Sequence, residues 1–547
     1  MASAGDDDVL VRTEDPLSEA RSPALDAATT APRMARSISR LGATTLACIT
    51  AYTLLAWGMV RVVPFDAAEP LEGEAFARLA DRLAWLGPGI AGFLRGESLL
   101  AEPVVFAIAY VLPIAIACGA FLWLLVVLSR AAVSIDGGTA DAVLRWAIAF
   151  AVVAAFAPPV IVQDFWLSTG WGRLAALGHN PYYTFLSPDV TAGLPLDYLG
   201  LLTTYGPLWT LVATGIMRAS GVNALLAGLL FKVLLTLLWI GSLLLLRSVL
   251  RGRGARLQTV GLAFAGWLPL GLLHGVADGH NDVAMAFLML AWLWLLQRGR
   301  SLAGTAALAG SVVMKYLSAP LFLLDVLRHW PAAAPNRAGA SVHAAATTGS
   351  RRALPGLVRG YAAHAAVAAV VGLGATAVFF RDMGFFGSTR HMTQWHFFSP
   401  RAAVAALGRM LGVEPTTGSF AGNVLLGAAG LVSLLFVLPA VWRVRAYWRA
   451  PTDETLRVAA FAIVAAVLFG ISGHAWPWFV IWGLLAAALH PESWLARWTA
   501  GMAIGMCFVM VPVVAWSVDA PGPLSVALCS FALAFTLLTP ARWFGAS

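Results

Sequence analysis

The stretch QDFWLSTGWGRLAALGHNPYYTF, Gln163–Phe185, follows directly on an apolar run at 143–163 that is long enough to cross a bilayer. The carboxylate of Asp164 therefore stands at the end of a membrane helix. Aromatics, one arginine and an Asn-Pro-Tyr-Tyr turn follow it. The side of the membrane on which this stretch lies decides how the rest of the chain is threaded.

The surrounding composition is that of a membrane protein. Of 547 residues, 59% are hydrophobic and only 12% are charged, with a mean hydropathy of +0.78, whereas soluble domains carry about 25% charged residues. Apolar runs recur at roughly 41–63, 103–129, 143–163, 222–248, 257–275, 281–297, 302–326, 360–380, 421–442, 456–473, 476–490, 497–517 and 522–541, each judged against the length a span needs. The fold class is all-α: a polytopic transmembrane helical bundle of about 13 membrane segments, with loops on the outer face carrying short interfacial helices. Residues 1–40 are polar, acidic and rich in Ala, Ser and Pro, which reads as a disordered cytosolic tail. Residues 41–541 form the membrane domain. The net charge of +8 lies in short loops between apolar runs, where the positive-inside rule puts it, so it does not point to nucleic acid. Cys48, Cys118, Cys507 and Cys529 lie inside apolar runs without metal-like spacing and read as small buried hydrophobes.

Charge threads the chain. The first run enters from the cytosol behind Arg33, Arg36 and Arg40, and 64–102 is an outer loop. The third run then delivers Asp164 to the outside. A short run at 206–219 is the decisive segment. If it spans, the cluster Arg247, Arg251, Arg253 and Arg256 falls outside; if it lies along the outer interface, that cluster is cytosolic, as the charge rule favours. The run at 302–326 holds Lys315 and Pro320 and precedes a loop, 327–359, with five arginines and no acid between 328 and 359. A broken pair of short helices that enters and returns keeps this loop cytosolic, and irregular backbone at that depth requires burial in protein or a cavity to line. Four polar segments then share the outer face: 164–205, 274–282, 381–420 and 472–478; the large outer loops are 64–102, 164–221 and 381–420. The protein is expected in the cytoplasmic membrane, multi-pass, with its N-terminus in the cytosol and its site facing outside.

Asp164 suits a general base taking a proton from a hydroxyl nucleophile, since carboxylates at membrane boundaries are costly and tend to be functional. The alternative is a helix cap or a pair with Arg173. Asn180, Tyr182 and Tyr183 form a turn that contacts substrate or anchors at the interface. Tyr205, in TTYGPLW, stands in a similar setting. HGVADGHND packs two Asp, two His and one Asn into nine residues. A metal held by His274 and His280 is disfavoured, because residues six apart do not share a helical face. His280, Asn281 and Asp282 suit hydrogen bonding to a polyhydroxylated substrate, with helix capping as the alternative for the last two. Lys315 either snorkels or meets an anion such as a phosphate, beside Tyr316. Arg390, with His391, His396 and Arg401, is an outer cationic patch or a solvated loop. His474 and Trp476, in SGHAWPWFVIW, suit a phosphate or sugar contact.

The order of these elements resembles a known family. An outer Asp, GHNPYY, YGPLW, GHNDVAM, an intramembrane MKYLSAPLFLL and a late HAWPWFVIW, spread over roughly 150–490, look like the GT-C superfamily of integral-membrane glycosyltransferases. They are most similar to bacterial polyprenyl-phosphate-mannose-dependent mannosyltransferases. That resemblance implies an inverting transfer of a sugar, mannose above others, from a polyprenyl-phosphate donor to a glycan or lipid acceptor on the outer face. It implies Asp164 as the acidic residue, with His280, Asn281, Asp282, Lys315 and Tyr316 as the matching His-Asn-Asp and Lys-Tyr positions. No metal or other cofactor is expected, although a divalent cation is compatible with the chemistry. The family's Asp usually follows the first helix, so Asp66, Glu69, Glu72 and Glu74 in 64–102 are rivals to Asp164, though none lies beside an Asn-Pro-Tyr element. A transporter or flippase of lipid-linked sugars is the alternative; it would more naturally show inverted repeats and charges near the midplane.

Overall fold

The computed structural model describes residues 23–59, 103–131, 135–159, 164–192, 194, 201–329, 360–386, 398–413, 419–516 and 521–545. Among the described residues every regular element is a helix. The chain opens with α1 (Pro23–Met59), α2 (Pro103–Arg130) and α3 (Gly137–Ala155). Two short helices follow, α4 (Asp164–Ala176) and α5 (Pro207–Ala219), and then the long α6 (Ala224–Val249). Next, α7 (Ala255–Gly266) leads to a wide π-helical turn, Gly271–Ala277, ahead of a close pair, α8 (Asp282–Gln297) and α9 (Ser301–Lys315). The second half holds α10 (Gly360–Thr376), α11 (Pro400–Met410), α12 (Phe420–Arg449), α13 (Asp453–Ala465), α14 (Val480–Ala487), α15 (Trp494–Trp516) and α16 (Pro521–Leu538).

All the apolar runs form helices, but fewer of them can cross a membrane than the count of about 13 anticipates. Among the described residues seven helices are long and apolar enough, and up to eight if α7 and its turn, bent by 56°, make one span. The others are helices of 10–17 residues. The physical reason is local. Apolar length sets how far a run could extend, whereas backbone breaks set how far one helix does. The run at 302–326 ends its first helix at Tyr316, whose φ of 56° is left-handed and uncommon for a residue with a Cβ. The N-terminal boundary differs as well. α1 starts at Pro23, so the helix takes in Ala-rich residues that composition assigned to the tail, consistent with the high helix propensity of Ala.

The two segments that decided the threading have the shapes expected of them. At 13 residues, α5 extends about 20 Å, too short to span, and it packs along α4. The two helices approach so closely at Gly172 that a Cβ there would lie 2.8 Å from the Ala213 carbonyl oxygen. After Tyr316 a 3-10 turn at Ala319–Leu321 and a six-residue helix, Phe322–Leu327, complete a broken pair. Asp325 of that helix is fully buried and accepts from Thr305 Oγ1 at 2.6 Å and Trp292 Nε1 at 3.3 Å. It thereby ties the returning segment to α8 and α9, and its buried carboxylate is satisfied as burial demands.

Trp239, Trp267, Trp292 and Trp482 are fully buried in the centre, with Phe121, Phe150, Phe231 and Phe264. The opposite case is α12, of whose most apolar stretch only 11% is buried. Leu431, Leu435 and Trp442 stand exposed on it, a face suited to lipid. All four cysteines are free, three of them buried and Cys529 half-buried.

Polar groups collect in two places. In one, Tyr183 meets the 381–382 backbone, the Ser399 hydroxyl donates to the Gly473 carbonyl, and Phe398 meets Trp476. With His280 stacked on Trp478, the four polar segments read from the sequence are neighbours. In the other, Arg247 pairs with Asp141, and Arg253 bridges Glu454 at 3.0 Å and Glu492 at 2.6 Å. Glu454, His490 and Glu492 lie close enough to hold a metal ion, but the Arg253 guanidinium already supplies positive charge there.

Candidate active site

Asp164 is the first residue of α4, and the wall it faces is built by the loop that starts α8. His280 Nδ1 lies 3.4 Å from Asp164 Oδ2, an ion-pair separation rather than a well-formed hydrogen bond; the hydrogen-bond geometry leaves both ring nitrogens of His280 without a partner. Gly279 fixes this approach. Its φ is +74°, and a Cβ there would sit 2.5 Å from the ring of Phe165, the neighbour of Asp164. Only glycine lets the loop close on α4 in that backbone conformation.

A second charged pair lies alongside. Lys315 Nζ donates to Asp282 Oδ2 at 2.5 Å, with the carboxylate fully buried. The same ammonium stands 4.3 Å from the centroid of the Phe479 ring, within cation–π range. Between the pairs sits Asn281, 2% exposed, with both amide atoms unpartnered. It occupies the N-cap position of α8 without making the capping bond, so capping does not account for it. Asp282 Oδ1 is unpartnered too. Buried polar groups without partners are rare, and here they gather beside a carboxylate whose side chain is 23% exposed and so can be reached.

The aromatic side of the site comes from 474–479. Trp478 stacks on His280 with centroids 4.3 Å apart and planes 7° off parallel. Trp476 stacks in turn on Trp478 at 5.0 Å and 5°. Trp476 is extended, with ψ 155°, and immediately precedes the 3-10 turn Pro477–Phe479 that carries Trp478. His474 lies in the same turn, its backbone N–H bonded to the Ser472 hydroxyl and its ring 5.4 Å from Phe479.

Electrostatics keep Asp164 charged. Burial by itself would raise its carboxyl, but His280, then Lys315, and a hydrogen bond from Tyr205 carry it below the ordinary carboxylate range. The phenol of Tyr205 is pushed well up, by burial first and then by the charges of Asp164 and Asp282, so it is a donor at any physiological pH. Tyr205 is held by its own neighbour. Gly206 N–H donates to the Met314 carbonyl at 3.1 Å, one residue before Lys315.

The structure thus brings together Asp164, Tyr205, His280, Asn281, Asp282 and Lys315, with Tyr316, His474 and Trp476 at the margin. It does not bring four of the expected residues there. Arg173 is a clamp: its guanidinium donates to the carbonyls of Val190, Ala192 and Val222. It does not pair with Asp164, whose carboxylate is turned to His280. Asn180 forms an Asx turn with Tyr182 N–H and donates to Phe379 O. Tyr182 is buried against Phe385, its hydroxyl on the Tyr205 carbonyl. Tyr183 pins the 381–382 backbone. These residues shape the wall behind the site through backbone contacts, which sequence spacing does not distinguish from substrate contacts. Arg390, His391 and His396, and the rival acids Asp66, Glu69, Glu72 and Glu74, lie outside the described residues.

His274 turns away from His280. Its Nδ1 meets Asp278 Oδ2 at 2.8 Å, both side chains fully buried. A metal shared by the two histidines has no support in this arrangement. Nearby, Lys232 of α6 donates to the Val276 and Ala277 carbonyls that end the π-helical turn. Sequence reading passed over Lys232 and Phe479, and it gave Trp478 no role beyond that of a tryptophan at the membrane interface. The signal for Lys232 was a lone lysine inside an otherwise apolar span.

Comparisons with known proteins point to the same kind of enzyme as the sequence resemblance. A family model described as "Alpha-(1->6)-mannopyranosyltransferase, N-terminal domain" matches residues 80–330, which include Asp164, His280 and Lys315. The chain is 25% identical over 388 residues to alpha-(1->6)-mannopyranosyltransferase A of Corynebacterium glutamicum, covering 67% of this chain and 76% of that protein. It is 28% identical over 369 residues to the protein of the same name in Mycobacterium tuberculosis, covering 64% and 66%. No solved structure matches it. The resemblance to GT-C-type bacterial mannosyltransferases holds.

Proposed function

We propose that this chain, a membrane-embedded mannosyltransferase, moves a mannosyl residue from a polyprenyl-phosphate donor to a glycan or glycolipid acceptor on the outer face of the cytoplasmic membrane. The observation that carries this reading is the meeting of a reachable carboxylate, Asp164, with the buried pair of Lys315 and Asp282 and with the unpartnered amide of Asn281. The two curated relatives are named for α-(1→6) transfer, which supports a primary hydroxyl at a sugar C6 as the nucleophile.

In this reading the acceptor oxygen attacks C1 of the mannosyl group from the face opposite the phosphate. As the new C–O bond forms, the bond from C1 to the phosphate oxygen breaks, and its electron pair leaves with the lipid phosphate. Asp164 takes the hydroxyl proton, and the configuration at C1 inverts. The ammonium of Lys315 faces the phosphate charge as it develops, where a preorganised donor in a dry site is most effective. Asn281 and His280 Nε2 supply hydrogen bonds to sugar hydroxyls. The lipid itself carries the activated sugar, so no nucleotide loop is required.

The test is transfer of labelled mannose from a synthetic polyprenyl-phosphate mannose to membrane acceptors in vesicles. Asp164→Asn should lower kcat by roughly 10²–10⁴-fold, the contribution of a general base, with unchanged insertion and folding. Wild-type rates in that variant would reject Asp164 as the base.

A further inference from the structure

The turn that ends HAWPWF makes two contacts that the transfer chemistry above leaves unassigned. Trp478 and Phe479 are consecutive in a 3-10 turn started by Pro477. One ring lies flat against His280 at 4.3 Å and the other lies 4.3 Å from the Lys315 ammonium. These two groups are the ones that face the carboxylates: His280 faces Asp164, and Lys315 faces Asp282. Each basic group thus touches one carboxylate and one aromatic ring of the same turn. Both aromatic side chains are buried. They act through His280 and Lys315.

We propose that the Trp478–Phe479 turn is a positioning element for sugar transfer, with Trp478 fixing the plane of the His280 ring and Phe479 backing the Lys315 ammonium. This rests on the reading of Asp164, His280 and Lys315 as the transfer site. The physical basis is the weakness of the other restraints on His280. Its Nδ1 contact at 3.4 Å is long, and Nε2 has no partner. A side chain with so few hydrogen bonds needs packing to hold one rotamer, and the near-parallel stack supplies it. Trp476, stacked on Trp478 at 5.0 Å with planes 5° apart, keeps Trp478 from tilting. Proline at 477 favours the start of the turn by fixing φ, so both rings leave one short, stiff segment. The Lys315 ammonium gains a second benefit: with Asp282 on one side and a ring on the other, it keeps a fixed distance from the space beside Asn281.

The experiment compares Trp478→Phe with Trp478→Leu in the full-length protein in lipid nanodiscs. Phenylalanine keeps a flat ring under His280, whereas leucine fills the space without one. Trp478→Leu should lower kcat by roughly 10- to 100-fold, the range expected when a reacting geometry loosens, while KM for donor and acceptor stays within about twofold. Trp478→Phe should restore most of kcat. A second readout is independent of turnover. With 13C-labelled histidine, the His280 ring signals should carry the upfield ring-current shift of a stacked indole, and this shift should vanish in Trp478→Leu. Equal rates in the two variants, or a His280 signal unmoved by Trp478→Leu, would overturn the proposal. Should wild-type protein show the ring-current shift yet fail to transfer mannose, the assignment of the site fails while the stack itself stands.

Discussion

At the scale of single residues, two carboxylates behave oppositely because their surroundings differ. Asp282 is fully buried and depends on one short ion pair with Lys315. Removing one partner of a buried pair leaves the other charge uncompensated and costs about 3–5 kcal/mol. Lys315→Met should therefore lower the melting temperature in detergent as well as activity. The double variant Lys315→Met/Asp282→Asn should regain much of the stability and none of the activity. Recovery of both by the double variant would reduce the lysine to a structural role. Asp164 is a matter of protonation instead. Its carboxyl is held below the ordinary range despite burial, so the ionised form persists to unusually low pH. The acid limb of kcat/KM should accordingly lie below about pH 4, the ordinary carboxylate value, with activity lost as pH falls through the folded value. Lys315→Arg, which keeps the charge, should leave that limb in place.

At the scale of elements, close backbone approaches set the site. Gly206 docks on the end of α9 so tightly that a Cβ would lie 2.2 Å from the Val313 carbonyl oxygen. Gly206→Ala must push the 203–207 segment away from Lys315 and take Tyr205 with it. The expected result is a stability loss of roughly 1–3 kcal/mol, as for overpacking, together with a fall in kcat. A variant with wild-type kcat would show that Tyr205 is dispensable. Arg173 offers the contrasting case. It was legible in the sequence as a candidate ligand, but its guanidinium holds three carbonyls of two loops. Arg173→Ala should lower thermal stability without a specific rise in the KM for donor, measured by initial rates over a donor series. The residues of GHNPYY were equally legible and equally misleading in role. A turn rich in Asn and Tyr bonds its own backbone as readily as it bonds a sugar.

At the scale of the whole molecule, the two polar regions make the threading testable. Met383, exposed in the segment pinned by Tyr183, should react as cysteine with an impermeant reagent added to intact cells. Arg300, exposed between α8 and α9, should react as cysteine only after permeabilisation. The reverse pattern would place Asp164 on the cytosolic side and remove the proposed outer-face reaction. The native cysteines are buried or half-buried, so the background is low. The second polar region is a joint. Glu492 is raised by burial yet carried down to about 2 by His490 and Arg253, so its stabilising effect is complete above its ordinary value of 4.5 and fades as pH falls toward about 2.

The sequence by itself determined that this is a helical membrane protein and which stretches are apolar, because hydrophobic length and sparse charge are properties of composition that no neighbour can change. It also determined the short α5 and the break after α9, because a short apolar run at 206–219 and an interruption by Lys315, Tyr316 and Pro320 limit helices locally. Only the tertiary structure decided which polar residues meet. His274 and His280 sit six residues apart and turn to different partners, while Asp164 and His280, 116 positions apart in the sequence, stand 3.4 Å from each other. Side-chain direction in turns depends on a few backbone angles and on close contacts such as Gly279 against Phe165. Those contacts exist only once α4, α8, α9 and the WPWF turn have packed together.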